Sequence, residues 1–109
     1  MTPVEDRYDA AIALKEAGNL EGAVAELEKL VEDEPGYALA YAGLSVFYGK
    51  LERNDQAVEC ARKVCELEPN DPFSFMSMSL VCQKAGRIAE AEQALTQAME
   101  KQWAARRNQ

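Results

Sequence analysis

The sequence predicts an all-α fold of three antiparallel helical hairpins stacked in register. Three observations predict it. Residue types recur at a step of 34: Ala23, Ala57 and Ala91; Glu32, Glu66 and Glu100; Pro35 and Pro69; and, at twice that step, Gly18 and Gly86. Periods of this length mark units that cannot bury an apolar face alone and share one core by stacking. Within each period the apolar residues fall at helical spacing, and glycine or proline punctuates the stretches between them.

The first helix opens at Thr2-Pro3-Val4-Glu5. Thr2 suits the N-cap, Pro3 the first helical position, and Glu5 completes a capping box. Tyr8, Ala11, Leu14 and Ala17 follow on one face, and Gly18-Asn19 ends the helix because glycine accepts a left-handed backbone. The second helix carries Leu20, Ala23, Val24, Leu27, Leu30 and Val31 and stops at Pro35-Gly36. The third holds Tyr41, Leu44, Phe47 and Tyr48. The fourth starts near Asn54, a candidate cap, and holds Ala57, Val58, Ala61, Val64 and Leu67. Pro69-Asn70-Asp71-Pro72 is a turn, with Asp71 as cap and Pro72 at the first position of the fifth helix. Phe75, Met78, Leu80 and Cys82 lie on that helix. Gly86 breaks it, and Ile88, Ala91, Ala94, Leu95, Ala98 and Met99 mark the sixth. Helices this short are marginal alone, so packing must hold them. Ala23, Ala57 and Ala91 allow close approach between helices where a larger side chain would not fit. Gly43 and Gly49, inside one helix, point to close approach of another backbone, with the neighbouring helix favoured over a ligand.

The chain has 109 residues and a formal charge of −7, which fits one small domain and argues against binding to nucleic-acid phosphates. The charge is graded. Residues 1–37 hold ten acids and three bases, residues 38–71 six and four, and residues 72–109 three and five. No apolar run is long enough to span a membrane and the N-terminus has no secretion-signal pattern, so a cytoplasmic protein is expected. Cys60, Cys65 and Cys82 form no C-x-x-C pair, which fits free thiols in a reducing compartment. Histidine is absent, so Ser-His and Cys-His catalytic pairs are impossible and no zinc site is expected. No glycine-rich phosphate loop occurs. Neither a cofactor nor an enzymatic activity is expected. Met78 and Cys82, four residues apart, read as packing rather than as a soft-metal face.

The pattern resembles the tetratricopeptide repeat, a helix–turn–helix unit of 34 residues. The middle repeat matches it with Tyr41, Leu44, Ser45, Tyr48, Ala57, Ala61, Val64 and Pro69. The first does so with Ala11, Leu14, Gly18, Ala23, Leu27 and Pro35, although Arg7 and Ala10 fill early apolar slots weakly. The third does so with Phe75, Met78, Ser79, Gly86, Ala91, Leu95 and Ala98, and has Trp103 in place of the closing proline. The repeats fall at about 4–37, 38–71 and 72–105, with a short tail at 106–109. The resemblance implies a right-handed superhelix and a non-catalytic adaptor or scaffold. The first helix of each hairpin would line a concave groove for a partner's peptide or helix.

The family's carboxylate clamp needs basic and amide side chains at positions that here carry Tyr8, Ile12, Gly43, Phe73 and Ser77. None is cationic, so clamp recognition of a peptide's C-terminal carboxylate is not expected. Helical phase instead places Tyr8, Ile12, Leu39, Ala42, Val46, Phe73, Met76 and Leu80 along the groove. That set expects a protein or peptide partner with an apolar segment. A second expectation is self-association through Leu95, Met99 and Trp103 at the end of the array, either there or head to tail with the acidic end of another copy; the alternative is that Trp103 folds back onto its own last hairpin. A third is a chaperone role, shielding a partner's helix.

Overall fold

The structure, a computed structural model, describes residues 3–108, among which six α-helices are the regular elements. They are α1 (Val4–Glu16), α2 (Leu20–Asp33), α3 (Ala38–Lys50), α4 (Asn54–Leu67), α5 (Pro72–Lys84) and α6 (Ile88–Arg107). Each packs on the next in sequence, giving three hairpins stacked side by side.

The turns follow from backbone chemistry. Gly18 and Gly86 have φ of +88° and +77°, a region that L side chains avoid. The equivalent residue of the middle hairpin is Glu52, which adopts φ of +63°. Asn19 caps α2 by accepting from the Gly22 amide at 2.9 Å. Asp71 caps α5 by accepting from the Phe73 amide at 3.0 Å, with Pro72 at the first helical position. Two boundaries differ from expectation. Pro3 lies just outside α1, with ψ of 149°, and its carbonyl accepts from Asp6 and Arg7; the capping box through Thr2 lies outside the described residues. The residue before α4 is Arg53, so Asn54 is its first helical residue rather than its cap. The Arg53 side chain reaches back instead to Glu21 of α2 at 3.0 Å. Arg87, one repeat on, does the same to Asp55 at 2.7 Å.

Two apolar clusters meet on α4. The first gathers Ala11, Ala23, Val24, Leu27, Leu30, Ala40, Leu44, Phe47, Tyr48 and Ala57 from α1 to α4. The second gathers Val58, Ala61, Met78, Cys82, Ala91 and Ala94 from α4 to α6. Met78 and Cys82 are therefore core residues. Ala23, Ala57 and Ala91 are all buried, at the close approach of paired helices. A buried hydroxyl repeats with the period: Ser45 donates to the Ala57 carbonyl at 3.0 Å, and Ser79 to the Ala91 carbonyl at 2.8 Å. Arg7, in an apolar slot of the repeat, pairs across its hairpin with Asp33 at 2.9 Å.

The two glycines of α3 differ from the expectation of backbone approach. A Cβ on Gly43 would sit 3.0 Å from a Leu27 methyl and 3.6 Å from the Tyr8 ring, so side chains of the preceding hairpin need the space. Gly49 faces only the Lys84 ammonium, which donates to its carbonyl at 2.7 Å.

Candidate binding groove

The first helices of the three hairpins, α1, α3 and α5, carry the eight residues assigned to a groove. The structure divides them into two groups. Leu39, Val46, Phe73, Met76 and Leu80 are exposed, with Phe73 at 69% and Leu80 at 62% of their full accessibility. Tyr8, Ile12 and Ala42 are half-buried, and Tyr8 and Ile12 pack against the first core cluster. For Tyr8 the cause is Gly43: with no side chain there, the Tyr8 ring lies against α3, 3.6 Å from where a Cβ would sit.

Between α3 and α5 a cleft of about 360 Å³ opens, walled by Leu39, Ala42, Val46 and Phe73 from the expected set. Ala61, Val64 and Val81 also line it, and Ser45, Ser74 and Ser77 contribute hydroxyl groups. Ala61 and Val64 belong to α4, so a second helix of a hairpin also lines the cleft. Glu68 and Asp71, in the turn before α5, edge it with carboxylates. Tyr8, Ile12, Met76 and Leu80 lie outside the cleft walls.

The α1 end of this face is acidic and aromatic. Tyr8 and Tyr37 meet edge to face, with ring centroids 6.2 Å apart. Burial raises both phenol pKa values. Asp9 adds to the effect on Tyr8; Glu5, Tyr8 and Asp9 add to it on Tyr37. The phenols thus stay protonated at neutral pH and donate or accept as neutral groups. Chemically, the face offers an apolar trough bounded by carboxylates. Among the described residues no group of three or more His, Cys, Asp or Glu side chains is placed to hold a metal.

The tetratricopeptide repeat profile matches residues 14–72, more than half of the chain. The chain belongs to the tetratricopeptide repeat family. Its three hairpins form that family's right-handed superhelix, a fold of protein–protein interaction modules. The chain is 32% identical over 65 residues to the Photosystem I assembly protein Ycf3 of Synechococcus sp. (strain CC9605), covering 60% of this chain and 38% of that protein. It spans between 7 and 38% of the length of the curated relatives it matches. Among solved structures it superposes on MamA with a TM-score of 0.86 at 24% identity, over 97% of this chain and 62% of that one. It superposes on the second tetratricopeptide domain of Spaghetti (RPAP3), bound to the HSP90 peptide SRMEEVD, with a TM-score of 0.77 at 17% identity, over 88 and 89% of the two chains. The last two likenesses are of fold. No helix among the described residues is long and apolar enough to cross a membrane.

The sequence reading missed the α4 contribution and the acidic edge. The signal for the cleft was present in Ala38, Ala42, Ser74 and Ser77: four small residues on facing helices leave a gap that larger ones would close.

Proposed function

We propose that this protein is a non-catalytic cytoplasmic adaptor that takes an apolar peptide or amphipathic helix, flanked by a basic residue, into the α3–α5 cleft and along its continuation over α1. The observation that carries this reading is the row Leu39, Val46, Phe73 and Leu80, which the chain leaves uncovered beside a ready cleft. Contiguous exposed apolar surface on a small domain marks an interaction site. Glu5, Asp9, Glu68 and Asp71 set the preferred charge of the partner's ends. With no cation at Tyr8, Ile12, Gly43, Phe73 or Ser77, an acidic peptide tail is disfavoured, which separates this groove from one built for a C-terminal carboxylate. The free thiols suit a reducing compartment.

Magnitude bounds the affinity. A trough burying about 400 Å² of apolar surface gains about 10 kcal/mol at about 25 cal/mol/Å². Association costs about 4–15 kcal/mol, so micromolar binding is the expectation.

Selection of peptides from a random display library tests the proposal. Enriched peptides should combine apolar residues at helical or alternating spacing with Lys or Arg, and Val46→Asp with Leu80→Asp should abolish their binding while helicity stays unchanged. Ile12→Asp is the poorer probe, because Ile12 packs on the core. Enrichment of acidic tails, or binding indifferent to the double change, refutes the groove. The likeness to an assembly protein favours a second reading, in which the groove shields a partner's helix before assembly. In that case a partner identified by such peptides aggregates or is degraded when this protein is removed; a partner that stays soluble and intact excludes it.

A further inference from the structure

The outer face of α6 differs from the same face of the earlier hairpins. Leu95 corresponds by the 34-residue step to Ala61 and Leu27, which the following hairpin buries. Met99 corresponds to Cys65 and Val31. Cys65 is half-buried and donates from its thiol to the Ser74 carbonyl of the next hairpin at 3.4 Å. On α6 the positions are open: Leu95 is 42%, Met99 63% and Trp103 60% exposed. The helix is also longer, at 20 residues against 13 or 14 for the others. Its last turns run free: residues 102–108 are all exposed. The Arg107 guanidinium sits over the Trp103 ring at 4.7 Å, holding the indole in an ordered pose.

The charges on this face are arranged about its centre. Glu92 lies seven residues before Met99, and Arg106 seven after. Leu95 lies four before, and Trp103 four after. We propose that α6 joins two copies of this chain, packed antiparallel about a two-fold axis at Met99. That operation sets Leu95 against Trp103 of the second copy, Met99 against its own copy, and Glu92 against Arg106 at both ends. Every contact occurs twice, as a two-fold interface requires. A parallel pairing would bring Arg106 and Arg107 against themselves. A head-to-tail stack would lay α1 on α6. The outer face of α1 carries exposed Asp6 and Asp9 where the later repeats have buried Ala40 and Gly43, so two carboxylates would lose water against Leu95 and Met99. The proposal stands apart from the groove, since no residue of α6 walls the α3–α5 cleft.

One helix pair buries less than a standard interface of about 1,600 Å², so the dimer belongs to the weak class, with a Kd on the order of 10–100 µM. Sedimentation equilibrium over about 1–500 µM at low salt reads it directly. Met99→Glu should leave a monomer with unchanged helicity, since the residue is exposed. Glu92→Arg and Arg106→Glu should each weaken the dimer about tenfold, by placing like charges together. An equimolar mixture of these two variants should recover wild-type affinity, because every cross-copy contact is complementary again. As an independent measure, Met99→Cys should form a disulfide-linked dimer across the axis and Ile88→Cys should not. A wild type that stays monomeric, association indifferent to Met99→Glu, open-ended oligomers, or a mixture that fails to recover would each overturn the proposal.

Discussion

Replacing Glu52 by glycine should stabilise this protein. Glu52 holds φ of +63°, where the equivalent residues are Gly18 and Gly86. The left-handed region costs an L residue about 1–2 kcal/mol. Glycine removes that strain but gives back about 0.5–1 kcal/mol through the larger freedom of the unfolded chain. The difference leaves about 0.5–1 kcal/mol in favour of Glu52→Gly, which raises Tm by about 2–6 °C in a domain of this size. The Glu52 side chain takes part in no ion pair or hydrogen bond among the described residues, so little else is lost. The reciprocal changes isolate the backbone term. A Cβ added at Gly18 or Gly86 would meet no atom within 4 Å, so Gly18→Ala and Gly86→Ala should each cost about 1 kcal/mol through φ alone. Urea titration followed by circular dichroism reads all three, with the midpoint moving and the slope unchanged. A Glu52→Gly variant less stable than wild type, or alanine variants without cost, would show that strain at these turns is not what sets their residue.

Other variants test the packing and the thiols. Ala57→Phe should destabilise by about 1–3 kcal/mol or more in urea titrations, since Ala57 is 1% exposed between paired helices. Ser45→Ala should cost about 0.5–1.5 kcal/mol by removing a buried hydroxyl bond to the Ala57 carbonyl, and the cost should be larger than for any exposed serine, Ser77 being the control. Burial first, then Glu28 and Glu59, pushes the Cys60 thiol from 9.0 up to about 11; burial first, then Asp71, Cys82 and Glu66, pushes Cys65 to about 11. The folded state thus holds these protons more tightly than the unfolded chain. The stability they contribute is complete below about pH 9 and is lost as pH rises toward about 11. Denaturation measured across that window should show the decline, and Cys60→Ala with Cys65→Ala should make it shallower, the remainder coming from Cys82, Tyr8, Tyr37 and Tyr48, whose pKa values are also raised. Both thiols should also react slowly with a disulfide reagent at pH 8 until the chain is unfolded.

The helices were legible because their signals are local. Asp71-Pro72 starts α5, Gly18 and Gly86 end helices with positive φ, and the alanines at the 34-residue step sit where helices close on each other. What was not legible depends on side chains of different hairpins competing for one space. Phase alone gives Tyr8 and Phe73 similar standing on the inner face. Whether each lies open is decided by the neighbour one hairpin away. Tyr8 leans into the vacancy over Gly43, while Phe73 faces a gap between small residues and stays exposed. The α4 wall was hidden for the same reason: Ala61 and Val64 read as core by periodicity, and they reach the cleft only because Ala42 and Ser77 do not cover them. Helix starts without a side-chain cap, at Arg53 and Arg87, were also beyond a reading by caps, since those arginines serve ion pairs between hairpins.

The two exposed apolar surfaces, proposed as groove and as dimer seam, are separate, and their separation has a consequence for affinity. The proposed groove lies on α3 and α5 with its acidic end on α1, and the proposed seam lies on the outer face of α6 in the last hairpin. A dimer formed through α6 leaves both clefts open, so one assembly presents two grooves. For a partner carrying two apolar segments, the second contact becomes intramolecular, and avidity exceeds the micromolar strength of one groove by about 10²–10⁴ if the linker spans the sites. Met99→Glu should therefore leave binding of a single-segment peptide unchanged and weaken capture of a two-segment peptide toward the single-site value. Equal loss for both peptides would mean that the seam and the groove are one surface, and a two-segment peptide no tighter than its halves would mean that the paired grooves cannot be reached together. Under both proposals a bivalent partner would draw two copies together, while each copy alone would bind weakly and release its ligand readily.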